Sequence, residues 1–158
     1  MAPIRRYTTP SSPASVGEAC QLLERFCARR ERSPAEVQRR IEALKLSAAD
    51  AQTVWEHLVN ERFVDEQRFA RAFAHDKLRL QRWGRRRIRQ ALLQQGVQEA
   101  VVEQTLQNLD AEAYAEVFQS VLKQKRQFYQ GDPHAAWKTR AALLRAGFEA
   151  DEIEALMS

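Results

Sequence analysis

Residues 83–97 read WGRRRIRQALLQQGV. The apolar residues Ile88 and Leu92 follow Gly84 at a spacing of four, which predicts a helix with one buried face, and Gly96 marks its end. Three arginines, at positions 85–87, fill the first turn. A helix N-terminus carries a partial positive charge, so each cation there is unfavourable by ~0.3–1 kcal/mol. Locally unfavourable choices of this kind are most often found at functional sites.

The pattern around this stretch recurs when the sequence is shifted by about 51 residues. The shift superposes apolar residues of one segment on those of the next: Val37 on Ile88, Ile41 on Leu92 and Leu143, and Leu46 on Val97 and Phe148. Each unit would be one long helix followed by two short ones, and no alternating run is long enough to predict a strand. The sequence therefore predicts an all-α fold of three tandem three-helix repeats, nine helices in all, forming an elongated, curved helical array.

Capping patterns place the helix starts. Ser15, Ser33 and Ser47 each precede an acidic residue by three positions, and Asp65 precedes the long helix of the second unit. The predicted domains are a disordered N-terminal tail at 1–14, repeat 1 at 15–65, repeat 2 at 66–116 and repeat 3 at 117–158. The long helix near Asp110 is expected to start earlier than the shift alone predicts.

Charge is unevenly distributed along the 158 residues. The segment 77–98 holds seven Lys or Arg and no Asp or Glu. It carries +7 in a chain whose net charge is +4, so the remainder sums to −3. A basic block of this kind indicates phosphate or an acidic protein surface as partner. The alternative is a solvated helix face.

Neither a disulfide nor a membrane segment is expected. Cys20 and Cys27 are seven residues apart in one predicted helix, hence about 10 Å apart, too far for a disulfide. The N-terminal residues contain no apolar core of signal-peptide length, and no run could span a membrane. We expect a reduced, cytoplasmic protein.

The arginines themselves are the candidate contact residues. Arg79 and Arg82 are expected to continue along the preceding helix, opposite the stripe of Phe69 and Phe73, and to form one ridge with the next helix start. Trp83 either packs at the interhelical joint or stacks on a partner, and the first is favoured. The predicted partner-binding residues, for protein or DNA phosphate, are Arg79, Arg82, Arg85, Arg86, Arg87 and Arg89, with Lys123, Lys125 and Arg126 as weaker candidates.

Two segments, FVDEQRFARAF (63–73) and WGRRRIRQALLQQGV (83–97), resemble the signature of the RecX family, bacterial regulators of the RecA recombinase. The resemblance extends over roughly residues 16–158. One departure is Lys45, which stands where the family pattern expects a helix-ending glycine. The matching residues are Phe63, Val64, Asp65, Glu66, Arg68, Phe69, Gly84, Ile88, Leu92 and Gly96.

This resemblance implies tandem three-helix units and a protein that binds the RecA–single-stranded DNA filament. It implies modulation, mainly inhibition, of filament ATPase, strand exchange and the co-protease role in the SOS response. No cofactor is implied, we expect a monomer, and direct contact with single- or double-stranded DNA would be secondary. Most motif residues are expected to be structural: Phe63, Asp65, Arg68, Phe69, Gly84, Ile88, Leu92 and Gly96.

Two other classes of function compete. An enzyme is disfavoured, because no phosphate loop or nucleophile elbow occurs and His57, His75 and His134 are isolated, without metal-ligand spacing. A sequence-independent nucleic-acid-binding helical protein is the stronger alternative, because basic helix–turn–helix pairs are typical of such proteins. Sequence-specific repression is not supported, because residues 84–96 lack a base-reading face led by Asn or Gln.

Overall fold

The computed structural model describes residues 15–158, and the predicted tail at 1–14 lies outside the described residues. Over this range the chain forms nine α-helices and no strand, which confirms the predicted all-α fold. The helices are α1 (Val16–Ala28), α2 (Pro34–Ala43), α3 (Ala48–Asn60), α4 (Glu66–Arg79), α5 (Arg85–Gln94), α6 (Glu99–Gln107), α7 (Ala111–Phe128), α8 (Ala135–Arg145) and α9 (Ala150–Met157).

Several helices begin where the sequence predicts a cap. The hydroxyls of Ser15, Ser33 and Ser47 each accept a hydrogen bond from the backbone amide three residues on. Ser33 is part of a complete capping box, because the carboxylate of Glu36 accepts from the Ser33 amide at 2.8 Å. Asp110 caps α7 by accepting from two amides, so that helix starts ahead of position 117.

The described residues up to Asp65 form one compact unit, and the segment Glu66–Ser158 forms another. Residues of α1–α3 supply the core of the first unit, and residues of α4–α9 share the core of the second. The predicted repeat boundaries and the elongated, curved array stay predictions. Nevertheless, most positions superposed by the 51-residue shift are buried in their own unit: Ala19, Ala70 and Val121; Val37 and Ile88; Ile41, Leu92 and Leu143; Val97 and Phe148.

A residue in the left-handed backbone conformation follows each of the helices α2, α5 and α8. This residue is Lys45 (φ 53°) after α2, Gly96 (φ 80°) after α5 and Gly147 (φ 98°) after α8. These positions are spaced by 51 residues, as the repeat requires. Lys45 therefore adopts a backbone conformation that favours glycine, at a cost of roughly 1 kcal/mol or more.

Both cysteines are buried, and neither forms a disulfide. In the part of the chain that the structure describes, no helix combines the length and apolar character needed to cross a membrane. The same residues contain no cluster of His, Cys, Asp and Glu able to hold a metal ion.

Candidate partner-binding surface

The first turn of α5 is docked against the C-terminal end of α8. Gly84, in extended conformation, caps α5, and its amide donates to the Ala146 carbonyl at 2.8 Å. The Arg86 amide donates to the Gly147 carbonyl at 3.0 Å. Helix-start amides and helix-end carbonyls ordinarily lack partners, so each helix end satisfies the other.

This docking explains the three arginines at a helix start. The end of α8 carries partial negative charge, and cations near a helix C-terminus are stabilised by ~0.3–1 kcal/mol each. The guanidinium of Arg86 donates to the Leu144 carbonyl at 2.6 Å, so it binds the last turn of α8 directly. The unfavourable field of α5 is therefore offset by the favourable field of α8.

Two glycines permit the close approach of the helices. A Cβ on Gly84 would lie 2.4 Å from the carbonyl carbon of Gly147 and from the amide nitrogen of Phe148. A Cβ on Gly147 would lie 2.3 Å from the Cβ of Arg87, and Gly147 also has a positive φ. Both positions therefore require glycine.

Arg85 is held by groups of its own unit. Its guanidinium lies 2.8 Å from a carboxylate oxygen of Glu152 and 3.8 Å from the centre of the Tyr114 ring. The Tyr114 hydroxyl donates to the other Glu152 oxygen at 3.1 Å and accepts from the Arg85 amide at 3.3 Å. Burial, with the neighbouring carboxylate, raises the pKa of Tyr114 to about 12, so the phenol stays protonated as the donor. The structure thus gives Arg85 a role in joining α5, α7 and α9.

Arg89 also forms ion pairs within its own unit. Its guanidinium lies 2.7 Å from an oxygen of Glu103 on α6 and 3.6 Å from an oxygen of Glu149. The hydrogen bond from Arg89 lowers the pKa of Glu103 below its ordinary value. The hydrogen bond to Glu103 in turn raises the pKa of Arg89. Much of the charge of Arg89 is therefore neutralised within the unit.

Arg86 and Arg87 are exposed. The guanidinium of Arg87 lies 4.1 Å from the centre of the Trp83 ring, and the ammonium of Lys77 lies 4.8 Å from the same ring. Trp83 is half-buried and packs against the core of its unit, as the favoured interpretation predicts. Neither Arg86 nor Arg87 forms an ion pair with a carboxylate among residues 15–158.

Arg79 and Arg82 do not share one helix, which corrects the expectation that both continue along it. Helix α4 ends at Arg79, and Arg82 lies in the following turn with φ 55°. The chain turns there because Trp83 donates its amide to the Lys77 carbonyl at 3.0 Å, reversing direction toward α5. Both arginines are exposed.

The remaining motif residues lie in or beside the two cores. Phe69, Ile88 and Leu92 are buried in the second unit, while Phe63 packs against the core of the first. Asp65 and Arg68 are half-buried at and near the start of α4.

Residues that the sequence analysis missed complete the surface. Arg145, at the end of α8, and Leu93, on α5, line a cleft between these helices, together with Arg86, Arg87 and Arg89. Arg145 lies in the segment TRAALLRAGF, two residues before Gly147. This basic residue next to the helix-ending glycine was the signal from which the sequence could have indicated it. The partners Glu103, Glu149 and Glu152 carried no such signal, because their distance from the arginines along the chain hides the pairing.

The described residues thus form an all-α protein whose unit Glu66–Ser158 carries a basic cleft between α5 and α8. Residues 65–106 match the family model described as RecX, second three-helix domain. The chain is 28% identical over 137 residues to the regulatory protein RecX of Chlorobium phaeobacteroides (strain BS1), covering 86% of this chain and 89% of that protein.

Two solved structures have a similar fold. The crystal structure of RecX from Lactobacillus salivarius superposes with a TM-score of 0.83 at 15% identity, covering 90% of this chain and 94% of that one. A crystal structure of regulatory protein RecX superposes with a TM-score of 0.79 at 17% identity, covering 88% and 70%. The chain is therefore similar in sequence to a RecX regulatory protein and similar in fold to two RecX structures, as the resemblance in its sequence predicts.

Proposed function

We propose that this protein binds the RecA–single-stranded DNA filament and modulates it, mainly by inhibiting ATP hydrolysis, strand exchange and co-protease activity. RecX proteins form a regulatory family and not a family of enzymes. In this proposal the chain has no catalytic residue or cofactor and works as a monomer in the cytoplasm. Its effect on ATP hydrolysis is exerted on the active site of the recombinase.

The arginines that line the α5–α8 cleft support this proposal. Arg86, Arg87 and Arg145 all line the α5–α8 cleft, and none of them has a carboxylate partner among the described residues. Arg85 and Arg89, by contrast, hold the unit together. Guanidinium groups suit multidentate contact with carboxylate or phosphate, and both occur on a protein–DNA filament. Arg79 and Arg82 stay candidates for contact, because both are exposed, Arg79 at the end of α4 and Arg82 in the turn that follows.

The test is the ATPase rate of the cognate RecA on single-stranded DNA at increasing amounts of this protein. We expect wild type to inhibit at well below one molecule per recombinase, because one bound molecule would hinder a run of neighbouring subunits. The double variant Arg86→Ala/Arg87→Ala should inhibit more weakly. The control Arg39→Ala/Arg71→Ala, which removes two other exposed arginines, should inhibit like wild type.

Other outcomes would reject the proposal. Inhibition that appears only when the protein saturates the DNA would indicate simple competition for the strand, the behaviour of a sequence-independent nucleic-acid-binding protein. No inhibition at any ratio would leave a basic helical protein with a different partner.

A further inference from the structure

The cleft between α5 and α8 has the shape of a binding site. It has a volume of about 550 Å³, within the range of ligand sites in proteins. Because both helices belong to the unit Glu66–Ser158, the cleft needs no other part of the chain. Among the described residues no carboxylate lines it. Its lining includes Arg86, Arg87, Arg89, Arg145, Leu93 and Leu144.

The cationic wall of the cleft is held in place before any partner binds. Arg86 is fixed by its hydrogen bond to the Leu144 carbonyl, and Arg87 by its contact with the Trp83 ring. Arg89 is fixed by Glu103. Side chains that are ordered in advance lose less conformational entropy on binding, so contacts with them give more affinity. Arg145 adds a further charge from the opposite helix.

The cleft also exposes apolar surface. Leu93 is 45% exposed and lines the cleft with the half-buried Leu144. Leu93 lies seven residues after Arg86, which places both on one face of α5. A phosphodiester backbone makes no use of aliphatic side chains at its contact points, because it is recognised by charge and hydrogen bonds. A protein segment that carries carboxylates beside an apolar side chain uses both parts of this cleft.

We infer that the α5–α8 cleft binds an acidic protein segment, whose carboxylates contact Arg86, Arg87 and Arg145 and whose apolar side chain packs on Leu93 and Leu144. This inference rests on the proposed function for the identity of the partner, the recombinase, and adds the chemistry of the segment that is recognised. Binding of nucleic-acid phosphate in the cleft, in place of a protein segment, would contradict this inference.

The first experiment uses the full-length chain and an array of overlapping short peptides that cover the cognate RecA sequence. We expect the wild-type chain to bind peptides that combine Asp or Glu with an aliphatic or aromatic residue. The tightest peptide is then labelled and titrated by fluorescence anisotropy. Arg145→Glu should weaken binding by about tenfold or more, and Leu93→Ser by about threefold or more. Both positions are solvent-facing, so folding is checked by circular dichroism.

Two controls separate this cleft from charge in general. Arg71→Glu makes the same charge change at an exposed site on α4 and should leave peptide affinity unchanged. Each variant is also titrated with oligo-dT. Leu93→Ser should weaken binding to the assembled RecA filament but not to oligo-dT, because the apolar contact is made only with protein.

The inference is overturned if no acidic peptide binds, or if Leu93→Ser binds peptide and filament like wild type. It is also overturned if the cleft variants weaken oligo-dT binding and leave filament binding unchanged, which would make the cleft a phosphate site. These results differ from a failure of the proposed function. If the proposed function fails, the wild-type chain would leave the RecA ATPase rate unchanged even though the acidic peptide binds.

Discussion

Gly84 and Gly147 lie in backbone contact, so close that a Cβ on Gly84 would fall 2.4 Å from the Gly147 carbonyl carbon. The contact joins the start of α5 to the end of α8. It allows the amides of one helix to meet the carbonyls of the other, and it places Arg86 beside the last turn of α8. The position of the arginines at the start of α5 therefore depends on both α5 and α8, and not on α5 alone.

Replacing Gly84 by alanine should destabilise the second unit. The clash is with backbone, which cannot rotate away, so we expect the free energy of unfolding to fall by about 2–3 kcal/mol. Urea denaturation followed by circular dichroism measures the change. Gly17→Ala is the matched control. Gly17 lies in α1 with only the Ser15 hydroxyl within 4 Å, at 3.8 Å, so alanine there should stabilise by about 0.5–1 kcal/mol. Equal stability of Gly84→Ala and wild type would contradict the close contact.

Lys45→Gly should stabilise the first unit. Lys45 is exposed and has a φ of 53°, a conformation that glycine adopts without cost. Allowing for the greater freedom of glycine in the unfolded chain, we expect a gain of about 0.5–1 kcal/mol in the free energy of unfolding. Arg39→Gly, at an exposed position within α2, should lose about 1 kcal/mol instead. A loss in Lys45→Gly would show that the left-handed turn is absent.

Some of this could be predicted from the sequence and some could not. Ser33 and Glu36 predict a helix start because capping depends on residues three positions apart. The spacing of Lys45, Gly96 and Gly147 follows from the repeat. The pairing of Arg85 with Glu152 joins residues 67 positions apart and depends on how α9 packs on α5, which no local pattern encodes. For the same reason the sequence grouped Arg85 and Arg89 with Arg86 and Arg87, whereas the structure separates the engaged arginines from the exposed ones.

Arg85 and Glu152 should be energetically coupled. Both side chains are partly buried, at 29% and 23% exposure, and the Tyr114 hydroxyl contacts the Arg85 backbone amide and the Glu152 carboxylate. Removal of either partner leaves the other without its charged hydrogen-bond partner. Arg85→Ala and Glu152→Gln should therefore each lower the free energy of unfolding by about 1–2 kcal/mol. A double-mutant cycle should give a coupling of about 1 kcal/mol. Strictly additive effects would mean that the pair contributes nothing and that Arg85 is available to a partner.

Acid should remove the contribution of Glu103 to stability. Its hydrogen bond with Arg89 depresses the pKa of Glu103 in the folded state below the ordinary value of 4.5. The stabilisation is therefore complete above pH 4.5 and is lost as the pH falls through the depressed pKa. Glu103→Gln should be less stable than wild type at pH 7, and the difference should vanish in strong acid. Glu116→Gln, an exposed glutamate on α7, should show no such pH-dependent difference.

The most direct test of the account is the affinity of the chain for a preassembled filament of the cognate RecA on single-stranded DNA. Labelled wild type and Arg86→Ala/Arg87→Ala are titrated by fluorescence anisotropy at one fixed salt concentration, because charge-driven affinity depends on salt. Wild type should bind tightly, and the double variant should bind with an affinity lower by about tenfold or more and with unchanged helix content. Equal affinities would contradict this prediction, and would show that the exposed arginines at the start of α5 do not contact the filament.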